Sequence, residues 1–183
     1  GNSIPGGGVN SRTVTDNDSE TITITDATGI NKTLRDAVTK KVIGDVVPYR
    51  VQVAIQEGTT EDVEVRDTLP AGLIFVPGSV QVTTSNGADV SWTGIATTPT
   101  VAPASATHNA TGTQQVVFPL GTVTNSNTDN GVQETITIEY DAIVANIAAN
   151  TQGTTRQNTA SLFYQSVLTK GPSLAPAITV IEP

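Results

Sequence analysis

In an extended strand, residues two apart point to the same face. Three polar side chains are conspicuous for the neighbours they share a face with. Lys32 alternates with Ile30 and Leu34, Asp67 with Val63, Val65 and Leu69, and Asn158 with Ala160, Leu162 and Tyr164. If those apolar faces form a core, a Lys, an Asp and an Asn point inward from three distant segments. An isolated buried charge is costly enough that it neutralises or finds a partner, so the three are most stable where they meet. Burial drives a lysine toward its neutral amine and an aspartate toward its protonated acid. A neutral Lys32 Nζ beside the Asn158 carboxamide carbon is a nucleophile facing an electrophile. A protonated Asp67 then polarises the carbonyl by a hydrogen bond and shuttles protons. Ammonia leaves, and the product is an intramolecular Lys–Asn isopeptide bond, made once per chain on the protein itself.

Each residue has a plain structural alternative. Lys32 can reach solvent from a strand end, Asp67 can cap the turn before Pro70, and Asn158 can bond nearby backbone. Lys40 and Lys41, just before Gly44-Asp45, take the nucleophile's place if the strand phase differs. Glu134 shares parity with Ile136 and Ile138, which makes it an alternative inward acid.

The elements that must position these residues are strands. Period-2 alternation runs through 21–24, 30–34, 49–55, 63–67, 80–82, 116–120, 136–140, 160–164 and 178–181. Turn signals separate the runs: Ile43-Gly44-Asp45, Glu57-Gly58, Pro70-Ala71-Gly72, Pro77-Gly78, Asn86-Gly87 and Asn130-Gly131. Eight to ten short strands at this spacing predict an all-β fold, a two-sheet antiparallel sandwich. Residues 94–113, rich in Thr, Ala and Pro, predict an extended surface loop, and 146–150 a short helical turn. Residues 1–19 are polar and Gly/Ser/Asn/Asp-rich, as expected of a linker or the edge of a preceding module, so 20–183 is expected to be one domain.

Composition closes off several functions. With no Cys there is neither a disulfide nor a thiolate metal site. The net charge is −8, and the nine Lys and Arg are scattered, which leaves no footprint for nucleic acid or an anionic membrane surface. No apolar run reaches the roughly 20 residues of a spanning helix. The single His, His108, lies in the Thr/Ala-rich stretch without a nucleophile-elbow sequence, so a solvated loop histidine is expected rather than a hydrolase. Asp16, Asp18 and Glu20 place oxygen ligands at alternate positions, a Ca²⁺ candidate weighed against a solvated acidic linker. No other cofactor is expected.

Four segments carry a family resemblance. Asp67-Thr68-Leu69-Pro70-Ala71-Gly72-Leu73 resembles the D-T-L-P-x-G-L signature of bacterial surface-protein repeats and isopeptide-forming fimbrial subunit domains. Gly44-Asp45-Val46-Val47-Pro48-Tyr49 resembles the G-D-x-V-x-Y start of their second strand, and Asn158-Thr159-Ala160-Ser161-Leu162-Phe163-Tyr164 their closing N-x-A-x-L-x-Y strand. Ile30-Asn31-Lys32-Thr33-Leu34 is similar to their first strand. The resemblance spans roughly residues 28–165, and the family is similar in fold to the A-type domains of collagen-binding adhesins. It implies an immunoglobulin-like sandwich, with Lys32 and Asn158 joined beside Asp67. It further implies a secreted, extracellular stalk or repeat module of a surface adhesin or fimbrial protein, whose partners are neighbouring domains of the same polypeptide. An adhesin tip contacting a host or surface ligand through residues 85–113 is the competing expectation. Neither is an enzyme with an external substrate.

Overall fold

The computed structural model describes residues 28–129, 131 and 133–181. The expected strand at 21–24, the linker 1–19 with Asp16, Asp18 and Glu20, and Asn130 of one turn signal lie outside them. Fourteen strands are present among the described residues, more than the eight to ten expected, and no helix. They are β1 (Gly29–Leu34), β2 (Lys40–Lys41), β3 (Val46–Ala54), β4 (Gly58–Leu69), β5 (Leu73–Phe75), β6 (Gln81–Thr84) and β7 (Val90–Trp92). The chain continues through β8 (Thr100–Ala102), β9 (Gln114–Asn125), β10 (Thr135–Val144), β11 (Thr155–Arg156), β12 (Thr159–Tyr164), β13 (Val167–Leu174) and β14 (Ile178–Val180).

The fold is an all-β sandwich of two antiparallel sheets. One sheet has the order β13-β12-β4-β9-β7, with β8 also on β9; the other has the order β1-β3-β10-β5, with β6 also on β10. A small third sheet, β11-β14-β2, contains the one parallel pairing among the described strands, β14 with β2. Alternation drives this arrangement. In β3, Val47, Tyr49, Val51 and Val53 are buried while the residues between them are not. In β10, Ile136, Ile138, Tyr140, Ala142 and Val144 behave likewise. They pack with Val63, Val65, Leu69, Val116, Phe118, Leu120 and Leu162 of the opposite sheet into a single core. At roughly 1.5–3 kcal/mol for each large apolar side chain removed from water, this face-to-face burial is the main force holding the sheets together. The outer face of the five-stranded sheet carries charge pairs instead, Arg50 with Glu139 and Arg35 with Asp141.

Two local expectations differ from what the chain does. Residues 94–113 are not simply a surface loop: Thr100–Ala102 forms β8 against β9, and Ala96 and Ala110 are buried. Low charge and a Thr/Ala/Pro composition do not distinguish a loop from a short edge strand, because β8 has a single neighbour and only Val101 turned to the core, too little to show a period. Residues 146–150 form a turn rather than a helical one, closed by Asn150 N donating to Ile147 O at 3.0 Å. The long strand β9 tolerates Pro119 because the proline lies between the segments that pair with β8 and β7, where the ladder is already interrupted by a bulge.

Gly72 follows the chain's crossing from one sheet to the other, at φ +96°, where an L side chain is strained. A Cβ there would overlap the side chains of Asn150 and Arg156, which hydrogen-bond one another at 2.9 Å. Gly78 has a similar φ of +80° but open space around it. Gly78→Ala should therefore cost about 1–2 kcal/mol from backbone strain alone. Gly72→Ala should cost roughly 2 kcal/mol more, through loss of the buried Asn150 hydrogen bonds. Denaturant midpoints for the two variants measure the difference; equal losses would show that the Asn150–Arg156 contact contributes nothing.

Candidate functional site

Lys32 is placed by β1, whose Lys32 lies opposite Val51 of β3. Asp67 is placed by β4, between Val116 of β9 and Ala160 of β12. Asn158 precedes β12 by one residue and shares the inward face of Ala160; its backbone carbonyl accepts from Ala175 N at 3.0 Å. The three side chains come from both sheets and are enclosed between them, with Lys32 at 2% exposure and Asp67 and Asn158 at 0%. The open side of β1 is anchored where Lys32 N donates to Ser173 Oγ of β13 at 3.0 Å.

Lys32 Nζ donates to Asp67 Oδ2, and also to Tyr140 Oη at 2.8 Å. Asn158 Nδ2 donates to the same Tyr140 Oη, also at 2.8 Å. The amine lies 4.5 Å from the centroid of the Tyr49 ring and 4.9 Å from that of Tyr140. Phe118 and Phe75 complete the aromatic wall, 5.3 Å and 5.8 Å from the Tyr140 ring. Three polar atoms in this enclosure lack a hydrogen bond: Asp67 Oδ1, Asn158 Oδ1 and Tyr49 Oη.

Burial lowers the Lys32 pKa, against the opposing attraction of Asp67. Burial raises that of Asp67, against the opposing pull of Lys32 and of hydrogen bonds from Tyr140 and Asn158. Desolvation outweighs the ion pair on both sides, so burial pushes the amine toward its neutral form and the acid toward its protonated form. That protonation state also addresses the orphaned oxygens. Asp67 Oδ1 and Asn158 Oδ1 are both acceptors when Asp67 is ionised, whereas a protonated Asp67 supplies a donor. Tyr140 is pushed above its ordinary value by burial and then by the Asp67 charge, which keeps its hydroxyl protonated.

The other candidates lie elsewhere. Lys41 Nζ donates to Asp36 Oδ2 at 2.8 Å, and Lys40 is exposed on β2. Glu134 is buried, but it accepts from Asn125 Nδ2 at 3.2 Å and from Asn127 Nδ2 rather than meeting Lys32. His108 is not the solvated histidine expected from its surroundings: it is half-buried, and its Nε2 is enclosed without a hydrogen bond. It borders a shallow apolar groove with Ile43, Ile74, Ile143 and Ile147. Among the described residues no group of three or more His, Cys, Asp or Glu could hold a metal. Parity alone did not reveal Tyr140 as part of the site, since a tyrosine alternating with Ile136 and Ile138 passes for core. The available signal was its hydroxyl, which needs a partner when buried.

No family model matches this chain, and neither does any curated protein. Among solved structures it is similar to the full-length RrgB pilus protein of Streptococcus pneumoniae, at 18% identity and a TM-score of 0.46, over 81% of this chain and 24% of that one. It is also similar to BcpA, the major pilin subunit of Bacillus cereus, at 14% identity and a TM-score of 0.44, over 85% of this chain and 40% of that one. A collagen-binding domain from a Staphylococcus aureus adhesin matches at 12% identity and a TM-score of 0.40, over 86% of this chain and 99% of that one. The chain thus spans about a quarter of the pneumococcal protein's length and less than half of the Bacillus pilin's.

The desolvation of Asp67 is testable without its partner amine. In Lys32→Met the carboxyl keeps its burial and loses the cation that lowered its pKa. A carboxyl held above its ordinary 3.8 when folded contributes stability that is present below 3.8 and lost as pH rises through the folded value. Lys32→Met/Asp67→Asn lacks that titration. The denaturant midpoints of the two variants should therefore lie close together near about pH 4 and separate near about pH 8, with the double variant the more stable. A separation that does not change with pH would rule out the desolvated carboxyl.

Proposed function

We propose that this chain is a structural stalk or repeat module of a bacterial cell-surface adhesin or fimbrial protein, secreted and held together by an autocatalytic isopeptide bond between Lys32 and Asn158. The observation that carries this reading is the joint enclosure of an amine, a carboxyl and a carboxamide from three distant segments, with burial favouring the neutral form of the first two. Residues 20–183 form the domain in this reading and 1–19 its leading linker, and its partners are neighbouring domains of the same polypeptide.

The chemistry follows from the protonation states. The lone pair of neutral Lys32 Nζ forms a bond to Asn158 Cγ, and the carbonyl π pair moves onto Asn158 Oδ1. Protonated Asp67 donates to that oxygen as charge develops on it, and so stabilises the tetrahedral intermediate. Collapse of the intermediate breaks the Cγ–Nδ2 bond, and one proton from Nζ leaves on Nδ2 as ammonia. Asp67 ends as it began. The new amide ties β1 of the five-stranded sheet to the segment entering β12 of the six-stranded one, so tension between the sheets would pass through a covalent bond.

Intact mass tests this directly. The folded protein should be lighter than its sequence by one ammonia, with no added enzyme. Lys32→Ala, Asn158→Ala and Asp67→Ala should each show the full mass, the last because both reactants remain without their acid. By analogy with disulfides closing loops of this length, loss of the bond should remove roughly 5 kcal/mol of stability. Lys41→Ala should keep the bond and the lowered mass, losing only the roughly 1–3 kcal/mol of its own buried contact with Asp36. A parent protein at full mass would refute the covalent reading and leave the sandwich intact.

A further inference from the structure

Making an amide from an amine and a carboxamide requires one specific proton movement. The attacking nitrogen must lose a proton, and the departing nitrogen must gain one. The tetrahedral intermediate makes the second possible: once Cγ is sp³, the lone pair of Nδ2 is no longer delocalised into the carbonyl, and that nitrogen becomes basic. The donor is Lys32 Nζ and the acceptor Asn158 Nδ2, and a single oxygen, Tyr140 Oη, is 2.8 Å from both. Asp67 meets Lys32 Nζ through Oδ2, while its second oxygen and the Asn158 carbonyl oxygen both lack a hydrogen bond. Once protonated it can donate to the carbonyl oxygen as charge develops there, work distinct from the proton transfer between the two nitrogens.

We propose that Tyr140 is a catalytic residue of the cross-linking reaction, its hydroxyl relaying the proton from Lys32 Nζ to Asn158 Nδ2. This rests on the Lys32–Asn158 bond proposed above and divides its acid–base work between two groups. Asp67 donates to the developing oxyanion. Tyr140 takes a proton from the alkylated Nζ as it becomes positively charged, and gives its own to Nδ2 as the Cγ–Nδ2 bond breaks. The hydroxyl is regenerated, ammonia carries away the transferred proton, and no other reactant is needed.

The arrangement around the two buried tyrosines supports a role for this hydroxyl beyond packing. Tyr49 is as deeply buried, and its ring is as near the amine, but its hydroxyl has Asn158 as its polar neighbour and does not bridge to Lys32 Nζ. Tyr140 Oη contacts both reacting nitrogens, and its hydroxyl also interacts with the Asp67 carboxyl. It is held in place by the β10 register, in which Tyr140 lies opposite Tyr49 of β3, and by tilted contacts with the rings of Tyr49, Phe75 and Phe118.

Tyr140→Phe keeps the ring and removes the relay. The variant should fold, as judged by its strand-type circular dichroism and cooperative unfolding, and remain at full mass when the parent has already lost ammonia. Its rate of mass loss should fall by roughly 10²–10⁴-fold, the usual contribution of a positioned acid–base group. A Tyr140→Phe protein that loses ammonia at the parental rate overturns the relay while leaving the bond itself standing. If Tyr140→Phe does not fold, 3-fluorotyrosine placed at position 140 retains ring and hydroxyl and changes only the acidity of the phenol. In a cell-free translation time course, a relay makes the pH–rate profile of ammonia loss differ from the parent's, whereas superimposable profiles overturn it. A parent that never loses ammonia defeats the bond and the relay together, an outcome visible without any variant.

Discussion

Removing Lys32 and Asp67 from water is the constraint to which the rest of this structure answers. Side by side and fully enclosed, the pair gains attraction from its closeness but loses more through lost hydration. That balance dictates what can surround it. Charged or exposed neighbours would restore the ionised forms, and the wall is instead built from Tyr49, Phe75, Phe118 and Tyr140. Enclosure in turn requires both sheets, because β1 belongs to one and β4 to the other. The sandwich and the site are therefore one arrangement: without the packed sheets the amine would be solvated and protonated.

Apart from His108 Nε2, the described interior away from this site satisfies its polar groups. Gln114 accepts from Phe75 N at 2.7 Å and donates to Pro103 O at 2.8 Å, while Asn150 donates to Gly72 O and Ala145 O, both at 2.8 Å. Unpaired atoms gather around Lys32 instead, on Asp67, Asn158 and Tyr49. Buried polar atoms without partners are costly, and their concentration beside a potential nucleophile marks the place where the fold departs from its own habit. A tetrahedral intermediate would convert the Asn158 oxygen from a weak acceptor into a strong one, so the ground state is the arrangement with the poorest hydrogen bonding.

Much of this was legible in the sequence because period-2 alternation is strong wherever one strand face meets the core. Residues 63–69 and 158–164 alternate cleanly, and their inward polar residues could be named from parity alone. The features that escaped have weak or shared signals. β13 carries no period because its residues are mostly exposed and Gly171-Pro172 interrupts it, leaving no buried face. β2, β11 and β8 have two or three residues each, too few to show alternation. Tyr140 was legible as core and illegible as chemistry, since its role depends on where its hydroxyl points in three dimensions. His108 misled because a polar Thr/Ala-rich neighbourhood says nothing about which loop folds back over an apolar groove.

The register of β1 has one more consequence. Lys32 faces the core because it lies opposite Val51, and a slip of one residue would turn Asn31 or Thr33 inward and send the amine to solvent. A solvated lysine is protonated and inert toward a carboxamide. In the proposed chemistry, then, the covalent bond would act as an inspection stamp on folding. Only chains that have found the native register would be sealed, and misaligned ones would stay reversible, free to unravel and try again.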